Sequence, residues 1–280
     1  MKQTYSSDQR LINALTFGGS HINSHLKGKA WVGHVPFAYW LVSTIKPKII
    51  VELGTHGGGS FFSFCQSVLD YKLNTKTYAV DTWEGEEQAG FYSNSVYENV
   101  SNFNKNNYQN FSTLLKMKFD DALVKFEDRT VDFLHIDGYH SYEAVSNDFN
   151  TWYKKLSKNA VVLFHDTNEF KKGFGVHQFW SEKKTQLPNQ CFEFKHSHGL
   201  GIFFPNCSIA ATNFKNELKP NVEKFFNIFT VIGEEIYYRM NGRYSLPKNL
   251  QLSVDQLLAI IQNVKVKNPT LTEKIKSVIN

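Results

Sequence analysis

Two short strings in this 280-residue chain hold the side chains best suited to chemistry. Residues 131–140 read V-D-F-L-H-I-D-G-Y-H, and residues 160–167 read A-V-V-L-F-H-D-T. Each is an apolar run that stops at polar residues: Asp137 with His140 three positions on, and His165 followed at once by Asp166. Two carboxylates and an imidazole gathered at one place form a divalent-cation site of oxygen and nitrogen donors. Imidazole is also the side chain suited to accepting a proton near neutral pH. Each residue has a structural reading too: Asp137 as a turn cap, His140 as the residue before a helix, His165 as a satisfied core histidine. The functional reading rests on their joint arrival at the ends of two strands that should be neighbours.

A third string, I-I-V-E-L-G-T-H-G-G-G-S at 49–60, ends an apolar strand pattern at Glu52 and Leu53 and runs into glycines. Backbone without Cβ atoms turns sharply and lets a ligand come close. A helix pattern (F-F-S-F-C-Q-S-V-L) begins near Ser60, so its first N–H groups point back at the loop. The next apolar run, 77–80, ends in Asp81, 27 residues after Gly54. An acid at the end of the second strand of such a unit is where a ribose diol is held. The loop lacks the G-x-G-x-x-G order and no P-loop lysine follows, which disfavours a pyrophosphate. Adenosine without a diphosphate fits, and that points to S-adenosylmethionine.

These residues need strands that end along one edge. The alternation of signals supplies them: strands at 49–53, 77–80, 114–118, 131–136 and 160–164, with further strands at 191–195 and 201–204. Helices are expected at 120–126, 141–156 and 175–184; Val145, Phe149, Trp152 and Leu156 give the second a single buried face. The Asn-rich stretch 92–111 reads as a loop or lid with a short helix. This rhythm predicts an α/β fold with a doubly wound, mostly parallel sheet. Residues 1–30 read as an N-terminal arm, 31–205 as the catalytic domain and 206–280 as a helical extension. In that extension Phe225, Phe229, Ile232 and Ile236 form one stripe behind Pro220. Ser253 caps a last helix with Val254, Leu257, Leu258, Ile261 and Val264 on one face. Its apolar faces are expected to pack on the domain or to join two copies in a homo-oligomer.

Composition narrows the function classes. The chain has no run of 18 apolar residues, so no transmembrane segment is expected, and its first residues lack a signal-peptide pattern. Cys65, Cys191 and Cys207 show no paired spacing. A cytoplasmic protein is expected. Residues 1–48 hold six basic side chains and one acid, 49–204 hold 15 and 19, and 205–280 hold ten and six. The acidic middle suits a sulfonium or a metal cation and argues against a nucleic-acid partner. The basic flanks suit solvent or an anionic glycan, nucleotide-sugar or membrane surface.

The string L-H-I-D-G-Y-H-S-Y-E-A-V followed by V-V-L-F-H-D-T, with V-E-L-G-T-H before and H-G-L-G-I-F-F after, resembles the metal-dependent class I S-adenosylmethionine methyltransferases. That group includes sugar O-methyltransferases of macrolide and aminocoumarin antibiotic pathways and enzymes of bacterial surface-glycan synthesis. The resemblance spans roughly residues 27–204. It implies a Rossmann-like seven-stranded sheet with its last strands reversed. It also implies a cofactor set of Glu52, Gly54, Thr55, Gly57, Ser60, Asp81, Thr82, Asp120 and Asp137, with Asp81 on the ribose. Asp137 and Asp166 would bind the divalent metal, Mg²⁺ or Mn²⁺, and His140 would be the general base. The antibiotic-pathway relatives carry a carboxylate where this chain has His165, which enters the expected metal set as a softer donor. The acceptor implied is a small molecule or glycan with vicinal hydroxyls, bordered by Trp31, His34, Trp83 and Tyr139. Two other readings share the scaffold: a hydroxylase-like metal enzyme and a non-catalytic interaction module. The His196–His198 pair, with no third partner in sequence, is a weak second metal candidate.

Overall fold

The computed structural model describes Tyr5 and residues 7–17, 30–86, 90–219 and 222–240. A seven-stranded sheet is built from β1 (Ile49–Leu53), β2 (Lys76–Asp81), β5 (Ser112–Lys116), β6 (Val131–Ile136), β7 (Leu156–His165), β8 (Cys191–Phe194) and β9 (Leu200–Phe203). A two-residue hairpin, β3 (Gly85–Glu86) and β4 (Gly90–Phe91), stands apart from it. The order is β5-β2-β1-β6-β7-β9-β8. The first five strands pair in parallel, whereas β9 is antiparallel to both β7 and β8. This is the expected Rossmann-like sheet with reversed last strands.

Parallel strands covered on both sides must be apolar on both faces, and side-chain alternation sorts them. Ile50, Phe133, Val161 and Leu163 face one layer. That layer comprises α1 (Ser7–Thr16), α2 (Val35–Ile45), α8 (Ile209–Glu217) and α9 (Val222–Met240). Val51, Leu53, Leu134, Ile136, Val162 and Phe164 face the other. There α6 (Tyr142–Tyr153) and α7 (Val176–Gln186) bury Val145, Phe149, Trp152, Phe179 and Trp180. On the β2 side, α3 (Gly59–Asp70) and α4 (Asn94–Asn107) enclose Phe61, Phe62, Val100 and Tyr108. α5 (Phe119–Ala122) is a single turn extended by a short 3-10 segment.

Several boundaries differ from the sequence reading. Most of 92–111 is the 14-residue helix α4. Its asparagines are poor helix formers, but Val96, Val100 and Phe103 give it a narrow apolar stripe against Phe62 and Trp83. The third strand lies two residues earlier than 114–118. α6 begins after Ser141, whose hydroxyl accepts the Ala144 N–H, and stops at Tyr153, so Leu156 opens β7 instead of closing the helix.

The first and last described helices join the first layer. Ala14, Leu15 and Phe17 are buried in it, and Arg10 of α1 pairs with Glu217 of α8. Phe225, Phe229, Ile232 and Ile236 form the expected stripe; Phe225 packs edge-on to Trp40 and Phe229 to Phe37. Pro220 and the helix expected after Ser253 lie outside the described residues. Among the described residues, no helix is long and apolar enough to cross a membrane.

Candidate active site

The carboxyl edge of β6 and β7 brings the first two strings together. β6 ends at Ile136, and the Asp137 N–H donates to the Leu53 carbonyl (2.9 Å), which fixes where the chain leaves the sheet. Asp166 follows β7 with φ +59°, a left-handed backbone that a non-glycine residue adopts at a cost. His140 Nε2 lies 2.9 Å from Asp166 Oδ2 and 3.9 Å from Asp137 Oδ1. Its ring stacks on Phe174 at 4.7 Å, and its carbonyl accepts the Gly175 N–H. One ligand atom from each of Asp137, His140 and Asp166 falls within 4.8 Å of the others.

His165, the third residue of the expected metal set, adjoins the same two carboxylates. Its Nδ1 lies 3.2 Å from Asp137 Oδ1 and 3.3 Å from Asp166 Oδ2, and its Nε2 lies 3.1 Å from the Ser197 carbonyl. Three acceptors around two ring nitrogens suit an imidazolium that donates on both sides; a ring that gives only its Nε2–H to the Ser197 carbonyl instead keeps an Nδ1 lone pair for a cation. Asp137, His140 and Asp166 gather ligand atoms, and His165 lies buried against both carboxylates of that set. Burial alone would lower the His165 pKa, but Asp166 and Asp137 outweigh it and hold it well above the usual histidine range. Burial would likewise lower that of His140, and the Asp166 hydrogen bond and charge raise it. The two carboxylates respond in the opposite sense: burial pushes them up, and the adjoining His165 brings both below their ordinary values.

The glycine loop forms the other half. Gly54 has φ +86°, and a Cβ there would collide with the Asp137 carbonyl, so the loop is seated against the exit of β6. Asp81 straps this loop. Its Oδ2 accepts the N–H groups of Thr55 and His56, both at 2.8 Å, and its Oδ1 accepts that of Trp83 at 2.7 Å. A cavity of about 260 Å³ runs from Gly54, Asp81 and Thr82 to Asp137, Tyr139 and His140. His56, stacked on Tyr92, and the Lys118–Phe119 turn also border it; the sequence reading missed all four.

Other expected site residues lie outside this cavity. Glu52 is fully buried on the opposite side of β1, its Oε2 2.8 Å from His135 Nδ1. Trp31 Nε1 donates to His135 Nε2 (3.1 Å), so the imidazole proton sits on Nδ1 and is given to Glu52. Burial raises the Glu52 pKa, moderated by His135. Thr55 and Ser60 are buried behind the loop, Gly57 is absent from the cavity wall, and Asp120 is exposed on α5. Of the aromatic residues expected around an acceptor, only Tyr139 lines the cavity. Trp31 and His34 are buried beneath it, and Trp83 Nε1 donates to the His56 carbonyl. The His196–His198 pair separates: His196, its pKa pushed down to about 4 by burial, bonds the Gly33 carbonyl, and His198 bonds Glu169.

Residues 51–167 match a methyltransferase domain. The matched segment runs from β1 to the residue after Asp166, so it contains both halves of the site. An uncharacterised protein of Sinorhizobium fredii is 45% identical over 207 residues, which are 74% of this chain and 22% of that protein's length. Two solved structures share the fold. One is a Staphylococcus aureus protein provisionally assigned as a caffeoyl-CoA O-methyltransferase (TM-score 0.50, 13% identity, 68% of this chain and 97% of that one). The other is the cofactor-bound Rv0187 from MTB (TM-score 0.51, 11% identity, 70% and 90%).

Proposed function

We propose that this chain is an S-adenosylmethionine-dependent O-methyltransferase that acts on a sugar hydroxyl with a divalent cation, in the synthesis of a glycoside or a bacterial surface glycan. One observation carries the reading: a single cavity is bordered by the glycine loop and Asp81 at one end and by Asp137 and His140 at the other. A methyl donor and an acceptor hydroxyl need that adjacency. The carboxylates of Asp137 and Asp166, whose oxygens lie within 4.8 Å of each other and of the His140 ring nitrogen, are hard donors that fit Mg²⁺ or Mn²⁺.

S-adenosylmethionine supplies, when bound, a methyl group already activated by its sulfonium. A divalent ion supplies positive charge that lowers the pKa of a sugar hydroxyl and suits an acceptor offering two neighbouring oxygens. The remaining tasks belong to the chain. Gly54, seated against Asp137, borders the space for the adenosine, and Asp81 Oδ1, with one backbone donor, keeps capacity for a ribose hydroxyl. Asp137 and Asp166 would hold the cation. His140, its ring plane fixed by Phe174, takes the hydroxyl proton, and Asp166 stabilises the imidazolium that results. Tyr139 and Phe119 offer apolar faces to a sugar ring.

The test is transfer of labelled methyl from S-adenosylmethionine to a panel of glycosides and nucleotide-sugars. Transfer should cease in EDTA and return with Mg²⁺ or Mn²⁺. Undiminished transfer in EDTA after dialysis would remove the cation from the reaction. Absence of S-adenosylmethionine binding in calorimetry would remove the reaction itself.

A further inference from the structure

The opposite edge of the sheet holds a second cavity, of about 660 Å³, where β1, β6 and β7 begin and α8 starts. Its size lies within the range of small-molecule sites. Four cationic residues border it, Lys46, Lys48, Arg129 and Lys158, against one acid, Asp132. Asp132 is already engaged by neutral donors: Oδ2 accepts the Lys48 backbone N–H (2.7 Å) and Oδ1 the Ser157 hydroxyl (2.5 Å). The neighbouring acid, Asp128, is paired with Lys155 at 2.6 Å. Among the described residues, none of the four cations makes an ion pair with a carboxylate.

Four like charges around a concavity repel one another and raise the local concentration of an anion. Two of them are carried on left-handed backbone, Lys46 at φ +50° and Arg129 at φ +61°. Glycine would adopt that conformation without strain, yet these positions carry long cations. Ile45, Ile49 and Ile209 supply an apolar wall beside the charges.

We infer that this cleft binds a phosphorylated organic molecule, its phosphate or diphosphate held by Lys46, Lys48, Arg129 and Lys158 and its organic part set against Ile45, Ile49 and Ile209. The concave shape favours a small ligand over a protein face. A soluble phosphate ester and a lipid phosphate headgroup share this chemistry, and the experiment separates them.

The full chain is titrated calorimetrically with inorganic pyrophosphate at low salt. In parallel it is sedimented with phosphatidylcholine vesicles, with and without phosphatidic acid. Saturable binding of either probe is expected, weakened about tenfold by Lys46→Ala or Lys48→Ala, more by both, and falling with added salt. Affinity for S-adenosylhomocysteine, read on the same variants, should not move, since neither lysine borders the first cavity. Pyrophosphate binding assigns a soluble ester; capture by phosphatidic acid vesicles alone assigns a lipid headgroup. Binding of neither probe overturns the inference. So does binding that survives the double substitution, or that Lys118→Ala at the first cavity removes instead.

Discussion

The two halves of the carboxyl edge use acidic side chains in opposite ways. On the β1–β2 side, Glu52 is turned beneath the sheet to His135, and Asp81 spends three acceptor positions on backbone N–H groups, two of the glycine loop and one of its own turn. On the β6–β7 side, Asp137 and Asp166 face two imidazoles, one buried below them and one bordering the cavity. The first half is tied down by neutral donors from within the fold. The second holds compensated charge whose protonation can change. An acid at a strand end is thus no assurance of a ligand contact; what matters is which face it leaves by and which donors already reach it.

If this division is right, damage to the second half should stop chemistry and damage to the first should weaken binding. The largest effect is expected from Asp137→Ala or Asp166→Ala: loss of cation-dependent methyl transfer, with S-adenosylhomocysteine affinity nearly unchanged by calorimetry. Each also leaves the His165 cation short of a partner, so urea unfolding should show a loss of about 3–5 kcal/mol. Retained transfer in either variant would erase the distinction between the halves. His140→Ala should lower kcat by about 10²–10⁴-fold while a dialysis assay still finds the metal bound. Because Asp166 raises the His140 pKa, NMR titration of the metal-free chain should find this imidazole losing its proton above the free value of about 6.5, and added Mg²⁺ should lower that midpoint. A lost metal site in His140→Ala would instead make this residue a ligand.

Asp148, a buried carboxylate behind Gly138, sharpens the contrast because no imidazole compensates it. Burial, then the charge of Asp120, push its pKa up to about 7. The folded chain therefore keeps a proton that the unfolded chain releases near pH ~4, so stability falls as pH rises between these values and stays low above. Asp148→Asn should be more stable than wild type by about 2–4 kcal/mol near pH 8, and the gain should vanish near pH 4 in denaturant titrations. An equal gain at both pH values would deny the buried charge. The smallest effect belongs to the first half: Asp81→Ala should weaken S-adenosylmethionine binding by about 1.5–3 kcal/mol, through the ribose and through a loosened loop. Unchanged affinity would leave Asp81 as a strap alone.

Much of this architecture was legible because apolar runs mark strands and their polar ends mark the edge. Asp137, His140 and Asp166 were found that way. Glu52 was expected at the cofactor, whereas its pairing with His135 depends on β1 and β6 being neighbours, which no local pattern announces. That a tryptophan 104 residues before His135 would complete their hydrogen bonds leaves no local trace. The role of His165 turns on the Ser197 carbonyl, 32 residues later, which no spacing announces. Phe174 lies in an aperiodic loop, and only its stacking on His140 reveals it.

Gly33 and Gly233 touch so closely that a Cβ on either would strike the other's carbonyl or its neighbours, and the Gly33 carbonyl also bonds His196. The Ser197 beside this crossing receives His34 and His165 through its own carbonyl. Seen in the order of synthesis, β1, β6 and β7 leave the ribosome long before Gly233. The support under the acidic edge is nonetheless completed only when α9 arrives to press on Gly33. A nascent chain stopped short of α9 would carry every metal-competent residue with Gly33 still uncovered.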